Sequence, residues 1–182
     1  MITLILAQDE EGGIGKNNDL PWPRIKEDMK YFRDKTKGHA VIMGRKTFES
    51  MGSIPLTDRL NIVLSSNFDN EACEPVTIGE STGTYLSKVN SITKAFAIAN
   101  AYSSEGDDTF VIGGAEIYNL TLRYADRILL TKVVGTFDAD TFVNLGLAEW
   151  TLDSSEDVER DGKVICTFQS YTRPNSADRV LQ

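Results

Sequence analysis

Short apolar runs alternate with helical patterns along this chain. The apolar runs cover residues 2–7, 40–43, 61–65, 76–78, 109–112, 128–134 and 164–171. The early ones are continuous, as in strands covered on both faces. The last alternates Val164, Cys166 and Phe168 against Ile165, Thr167 and Gln169, as a half-solvated antiparallel strand does. Residues 25–35 carry Ile25, Met29 and Phe32 at helical spacing. A short helix is expected from 45 or 46 to 51. Ser91 suits the N-cap of a helix with Ile92, Ala95, Phe96, Ala99 and Tyr102 on one stripe. Residues 115–124 place Ile117, Leu120 and Tyr124 on another. Strands alternating with helices predict an α/β fold: a mainly parallel central sheet with an antiparallel C-terminal edge, flanked by about four helices. Residues 79–90 read as a polar insertion of undefined structure. One domain is expected over 1–173, with a loose tail at 174–182.

Composition narrows the function. At 182 residues, 41% hydrophobic and 25% charged, the chain is long enough for one sizeable core. A formal net charge of −8 argues against nucleic-acid partners and anionic membrane surfaces. An anionic ligand therefore needs a local basic site. The run 2–7 is too short for a signal peptide, and nothing approaches the roughly 20 apolar residues of a membrane helix. Two distant cysteines, Cys73 and Cys166, make no disulfide framework, so a cytoplasmic protein, acting as a monomer, is expected. The single histidine, His39, precedes a strand and excludes HExxH and multi-histidine metal sites, so no metal is expected. Gly79-Glu80-Ser81-Thr82-Gly83 matches a nucleophile elbow, but no histidine follows the serine, and it reads as a loop.

Two features carry chemistry. Asp28 lies on the apolar stripe of the 25–35 helix, while Glu27, Lys30, Arg33 and Asp34 lie elsewhere. An inward carboxylate is costly unless paired. A local salt bridge or an edge position would explain it. A flat, amidine-like heterocycle offering a fork of N–H donors would explain it as well, and Pro21-Trp22-Pro23 and the glycines 12, 13 and 15 lie just before it. The second feature is phosphate handling. Val111-Ile112-Gly113-Gly114 and Val41-Ile42-Met43-Gly44-Arg45-Lys46-Thr47 each run from a strand through glycine into a helix. Two cations at a helix N-terminus in an acidic protein suggest a more negative partner. Ser65 and Ser66 end a third strand and add hydroxyls. Two such turns favour a dinucleotide over a solvated basic loop, although the full G-x-G-x-x-G fingerprint is absent.

In order and spacing these residues resemble the dihydrofolate reductases. The resemblance spans roughly residues 1–173. It rests on Gly15 with Leu20-Pro21-Trp22, on Asp28-Met29-Lys30-Tyr31-Phe32, on 41–50, on Pro55-Leu56-Thr57-Asp58-Arg59, on 61–66, on 111–118 and on Thr131. It implies NADPH-dependent reduction of 7,8-dihydrofolate to tetrahydrofolate, with antifolates as inhibitors. Asp28 stands in the place of the acid that binds the pterin, with Trp22 and Thr131 as its catalytic companions. Burial should raise its pKa. Ile5, Ala7, Phe32 and Ile112 match the pocket around pterin and nicotinamide, and Met29, Met51 and Leu56 the aminobenzoyl contacts. Arg59 matches the arginine that grips the substrate's α-carboxylate. On the cofactor side stand Ala7, Ile14, Gly15, Leu20, Gly44, Arg45, Lys46, Thr47, Leu64, Ser65, Ser66, Ile112, Gly113, Gly114, Ala115, Glu116, Ile117 and Tyr118. Within that set, Thr47 and the paired glycines meet the pyrophosphate, and Arg45, Lys46, Ser65 and Ser66 the 2′-phosphate. Residues 12–20 match the mobile loop that closes over the nicotinamide.

Some positions depart from the family pattern. Glu116 stands where a basic residue is frequent, Ala115 where a third glycine is, and Asp58 where a glycine neighbours the arginine. Asp140-Thr141 match an acid–threonine pair of a later loop, with no catalytic role assigned. Two alternatives stand beside the main reading: a reductase of another pterin or pyrimidine on the same scaffold, and a non-catalytic ligand-binding relative. Arg59 discriminates against the first, and the set Asp28, Trp22 and Thr131 against the second.

Overall fold

The structure, a computed structural model, describes residues 1–69, 74–78 and 81–174. Cys73, the first two residues of the 79–83 pattern and residues 175–182 of the expected tail lie outside these. Among the described residues, β1 (Ile2–Gln8), β3 (Ala40–Gly44), β4 (Leu60–Leu64), β5 (Glu74–Ile78), β6 (Ser81–Val89), β7 (Thr109–Gly113), β8 (Arg127–Val133), β10 (Thr151–Arg160) and β11 (Lys163–Thr172) make one sheet. Its order is β10-β11-β8-β1-β7-β3-β4-β6-β5. A small separate pair joins β2 (Gly13–Gly15) to β9 (Thr141–Phe142). The centre is parallel, from β8 through β6. The expected antiparallel C-terminal edge is there as β8-β11-β10. A second antiparallel pair, β5 with β6, closes the opposite edge.

Burial explains which strands showed in the sequence. Leu4, Val41, Ile42, Met43, Leu60, Ile62 and Val63 are fully enclosed, so β1, β3 and β4 read as continuous apolar runs. Four strands escaped. β6 occupies most of the presumed polar insertion and runs parallel to β4 from Leu60↔Tyr85 to Leu64↔Val89. Its buried Thr84 is satisfied by the backbone N–H of Asp58, which donates to the Thr84 hydroxyl at 3.0 Å, so polarity there does not mean a loop. β10 is exposed along nearly its whole length and needs no apolar alternation. β2 and β9 are too short to show a period. β11 is less half-solvated than expected, because β10 and β8 flank it and Ile165 also packs inward.

The helices are α1 (Lys26–Thr36), α2 (Arg45–Ser50), α3 (Ile92–Tyr102) and α4 (Ala115–Thr121). Ser91 caps α3 as expected, its hydroxyl accepting from Lys94 N at 3.3 Å. The expected 115–124 helix instead tightens after Thr121 into a 3-10 turn, Leu122–Tyr124, and buries Ile117, Tyr118 and Thr121 while Leu120 faces out. In α3 the buried stripe narrows to Ala95 and Ala99, and Tyr102 is exposed, its ring edge-on to that of Tyr85.

Strand alternation sends successive side chains to opposite faces, which makes two main cores. One holds Leu4, Leu6, Ile42, Ile62, Val111, Ile128 and Leu130 against α3 and α4. The other holds Ile5, Val41, Met43, Val63, Phe110 and Leu129 against side chains of α1 and α2. The second face carries the candidate site.

Candidate active site

The site is assembled on β1 and β8. Their register sets Ala7 beside Thr131 and Ile5 beside Leu129. α1 lies over this pair. Its first turn has Ile25 as N-cap and no side-chain cap, and it presents Asp28 to the sheet. The Thr131 hydroxyl donates to Asp28 Oδ1 at 2.6 Å. Thr131 is buried and Asp28 half-buried. Burial pushes the Asp28 carboxyl above its usual range, against the lowering pull of the threonine hydroxyl. Among the described residues no arginine or lysine pairs with Asp28, so the local salt bridge is not what places it there.

One apolar cluster gathers five of the expected substrate contacts. Ile5 is buried in it, and Phe32, Met51, Leu56 and Ile112 pack against it. Met29 departs from expectation. It is 38% exposed, and its sulfur accepts from Arg24 Nε at 2.9 Å. The stripe on α1 is thus narrower than the i, i+4, i+7 pattern implied, because the helix packs by one edge and buries Thr36 further along. Trp22 and Ala7 join a third cluster with Ile25, Val133, Phe137 and Cys166. The indole Nε1 of Trp22 is buried and has no partner among the described residues. Cys166 is enclosed, and burial pushes its thiol up to about 11.

Arg59 is 4% exposed, and its Nε has no partner among the described residues. Burial pulls its pKa below the usual value. A fully dehydrated guanidinium nitrogen without an acceptor is costly unless a ligand supplies one. The neighbouring Asp58 charge opposes that shift. Its carboxylate lies 3.3 Å from Lys37 Nζ. Asp58 also has φ +57°, which accounts for glycine being usual there. The residue missed by sequence reasoning is Asn61. It is wholly buried and binds Leu56 N through Oδ1 at 2.8 Å and the carbonyls of Leu56, Arg59 and Tyr85 through Nδ2 at 2.9–3.2 Å. It fastens the loop that presents Leu56 and Arg59. A lone asparagine inside an otherwise apolar strand was the available signal.

The second half of the site forms where β3, β4 and β7 end side by side. Gly44 pairs with Leu64, and Met43 with Gly113. The Gly113–Gly114 peptide is cis. A Cβ on Gly44 would lie 3.0 Å from Ile117 Cγ1, one on Gly114 3.3 Å from Thr47 Oγ1, and one on Gly113 3.2 Å from Tyr118 Oη. Bare backbone is needed at all three, because α2 and α4 pack closely on the strand ends. Tyr118 is buried and donates to the Ile5 carbonyl at 2.9 Å, linking the two halves. Burial raises its phenol. Ser65 and Ser66 follow β4, with Ser66 exposed; Ala115 is half-buried and Glu116 exposed. Arg45 is not the unpaired cation that the sequence suggested: Nη1 donates to both carboxylate oxygens of Glu49, at 2.7 and 2.9 Å. Lys46 is exposed beside it.

Loop 12–20 follows β1 and carries β2. Gly13 and Gly15 pair with Phe142 and Thr141. Asn17 N donates to Asp140 Oδ2 at 2.9 Å, and the Thr141 hydroxyl to Asp140 Oδ1 at 2.8 Å, so the acid–threonine pair acts as a tether for this loop. Ile14 packs against the first core, and Leu20 is 43% exposed at the end of the loop. His39 is half-buried against Phe110, ring centroids 5.4 Å apart, away from these groups. Among the described residues no cluster of potential ligands could hold a metal ion, and no helix is long and apolar enough to cross a membrane.

A half-buried acid held by a buried threonine, and a glycine-lined turn where three strands end, suit an enzyme that brings a flat substrate to a phosphate-bearing cofactor. The model of the dihydrofolate reductase family matches residues 1–173. The chain is 39% identical over 180 residues to the dihydrofolate reductase of Bacillus subtilis, covering 97% of each. It is 35% identical over 176 residues to that of Haemophilus influenzae, covering 94% of this chain and 98% of the relative. The dihydrofolate reductase of Enterococcus faecalis, solved with NADP(H) and RAB-propyl, superimposes with a TM-score of 0.78 at 30% identity, over 96% of this chain and 97% of that one. The chain belongs to the dihydrofolate reductase family and is an NADPH-dependent oxidoreductase.

Proposed function

We propose that the chain reduces 7,8-dihydrofolate to 5,6,7,8-tetrahydrofolate in the cleft between α1 and the sheet, and that Asp28 orients the pterin. Asp28 carries this reading. Thr131 occupies one of its oxygens at 2.6 Å, and among the described residues the other oxygen has no donor, so it can accept from the N3 and 2-amino edge of a pterin. Trp22 Nε1 and Arg59 Nε, both buried and without a partner among the described residues, are donors that a ligand with acceptors would satisfy. Glycines 44, 113 and 114 stand at strand ends just before the N-termini of α2 and α4, where backbone N–H groups suit a phosphate-bearing cofactor. When bound, NADPH supplies hydride to C6 of the pterin.

The protein's own residues do the rest. Asp28, held above the usual carboxylate range, favours the ring protonated at N5. Thr131 fixes which oxygen faces the ligand. Ile5, Ala7 and Ile112 exclude water around the reacting rings. Phe32 completes that pocket, Met51 and Leu56 pack on the aminobenzoyl ring with Met29 at the rim, and Arg59 takes the α-carboxylate in a bidentate grip. Gly15, Leu20, Ile14 and the Ala7 carbonyl hold the nicotinamide side, and Thr47 with the peptide groups of Gly113, Gly114 and Ala115 the pyrophosphate. Lys46, Ser65 and Ser66 meet the 2′-phosphate, with Arg45 able to turn from Glu49 toward it. Glu116 places a negative charge close by and weakens the cofactor's hold.

Residues 1–173 act as one domain, since β1, from the N-terminus, lies between β7 and β8. The protein works as a monomer in the cytoplasm. Asp153, Glu156, Asp157 and Glu159 stand exposed along the β10 edge, and like charges there oppose strand-to-strand association. Diaminopyrimidine antifolates compete for Asp28. The test is an absorbance assay of NADPH with dihydrofolate, with and without such an inhibitor. Oxidation that the inhibitor blocks is the expected result. Oxidation that ignores the inhibitor, or none at all, overturns the assignment.

A further inference from the structure

A second buried carboxylate lies outside the pocket. Asp9, just after β1, is 0% exposed. A dehydrated carboxylate persists only where donors satisfy it, and three backbone N–H groups do so here. Glu11 N and Gly13 N donate to Oδ1 at 3.0 and 2.7 Å. Phe137 N donates to Oδ2 at 3.1 Å. The two oxygens thus hold two separate stretches, the root of loop 12–20 and the segment after β8. Glu10 N adds a bond to the Gly135 carbonyl at 3.1 Å. The fit at the junction is close: a Cβ on Gly13 would lie 2.6 Å from Ala139 Cβ. Phe137 then meets Trp22 edge-on, ring centroids 5.8 Å apart. Trp22 shares its cluster with Ile25, the N-cap of the helix that carries Asp28.

We infer that Asp9 is a positioning residue for the reaction: its carboxylate staples the root of loop 12–20 to the Phe137 segment and so fixes Trp22 at the entrance of α1. This rests on the proposed roles of Trp22 and Asp28. The contacts run in one unbroken line from Asp9 through Phe137 and Trp22 to the start of α1. Neither the stability of the sheet nor the binding of the substrate tail passes along it.

Asp9→Asn separates the two ties. An amide keeps one acceptor oxygen and replaces the other by an N–H donor. In one orientation it keeps the turn to Gly13 and opposes the Phe137 N–H; in the other it does the reverse. The expected result is a cooperative melt, turnover reduced about tenfold with KM for dihydrofolate within about twofold of wild type, and a displaced Trp22 indole N–H peak in the 15N spectrum. The chain has two tryptophans, Trp22 and Trp150, so that peak is assigned from a Trp150→Phe sample. A lowered melting temperature with turnover and the Trp22 peak unchanged overturns the inference. Should Asp9→Asn not fold, Phe137→Leu decides, since it keeps the backbone tie and removes only the ring. Loss of turnover with a moved Trp22 peak supports the line of contacts, and wild-type behaviour breaks it. Wild-type protein that fails to oxidise NADPH with dihydrofolate sinks the functional reading instead, and the Trp22 peak still reports on Asp9.

Discussion

Asp28 is half-buried and Arg59 buried, and burial works against the charged form of each. For Asp28 the sign follows from linkage. Its folded pKa stands above the ordinary 3.8, so the unfolded chain loses this proton first as pH rises. The Asp28 contribution to stability is whole below about pH 3.8 and is lost as pH climbs through the folded value. Asp28→Asn has no such loss and can still accept from Thr131. Its melting temperature should match wild type near pH 3.8 or below and equal or exceed it at neutral pH; a deficit that grows with pH counts against a strained, buried acid. Turnover should fall about 10²–10⁴-fold at neutral pH and less at low pH, where substrate arrives protonated. Arg59→Ala should raise KM for a glutamate-bearing substrate well over tenfold and leave a bare pterin nearly unaffected. Equal losses on both would move the glutamate contact elsewhere.

At the scale of elements, short helices and strand ends divide the work. In α2 the Arg45–Glu49 pair is exposed and contributes no more than about 0.5 kcal/mol. Its consequence is for selectivity, because it occupies the guanidinium. Lys46→Ala should therefore narrow the preference for NADPH over NADH more than Arg45→Ala does, by kcat/KM measured on both cofactors. The reverse order would mean that Arg45 leaves Glu49 when the cofactor binds. In α3 the Ser91 cap satisfies an N–H that the helix cannot, and Ser91→Ala should cost about 1 kcal/mol in urea unfolding with activity intact. Elements with a buried stripe or a cap were legible in the sequence. β10 was not, since an exposed edge strand needs no apolar period, and β6 was hidden because its polar residues are satisfied by contacts distant in the chain.

At the scale of the molecule, the central strands tie the two halves of the site together. Ile42 is 0% exposed between β7 and β4, and Ile42→Ala should cost about 2–5 kcal/mol, read from the denaturation midpoint. A cost below about 1 kcal/mol would mean that the core collapses around the cavity. Asp28 could be named from the sequence because a charge on an apolar stripe is a local anomaly. The glycines at strand ends could be named because backbone access is a local property. Periodicity, caps and turn chemistry are short-range, so the sequence by itself determined the α/β class, the central strands except β6, and all four helices, and it pointed to Asp28 and the glycine turns as candidates. Only the tertiary structure decided that Thr131 meets Asp28 across 103 residues, that Glu49 occupies Arg45, that Asn61 presents Arg59, and that Asp9 joins the loop root to Phe137. Each of those pairings satisfies a buried or charged group with a partner that chain folding, not sequence proximity, brings within reach.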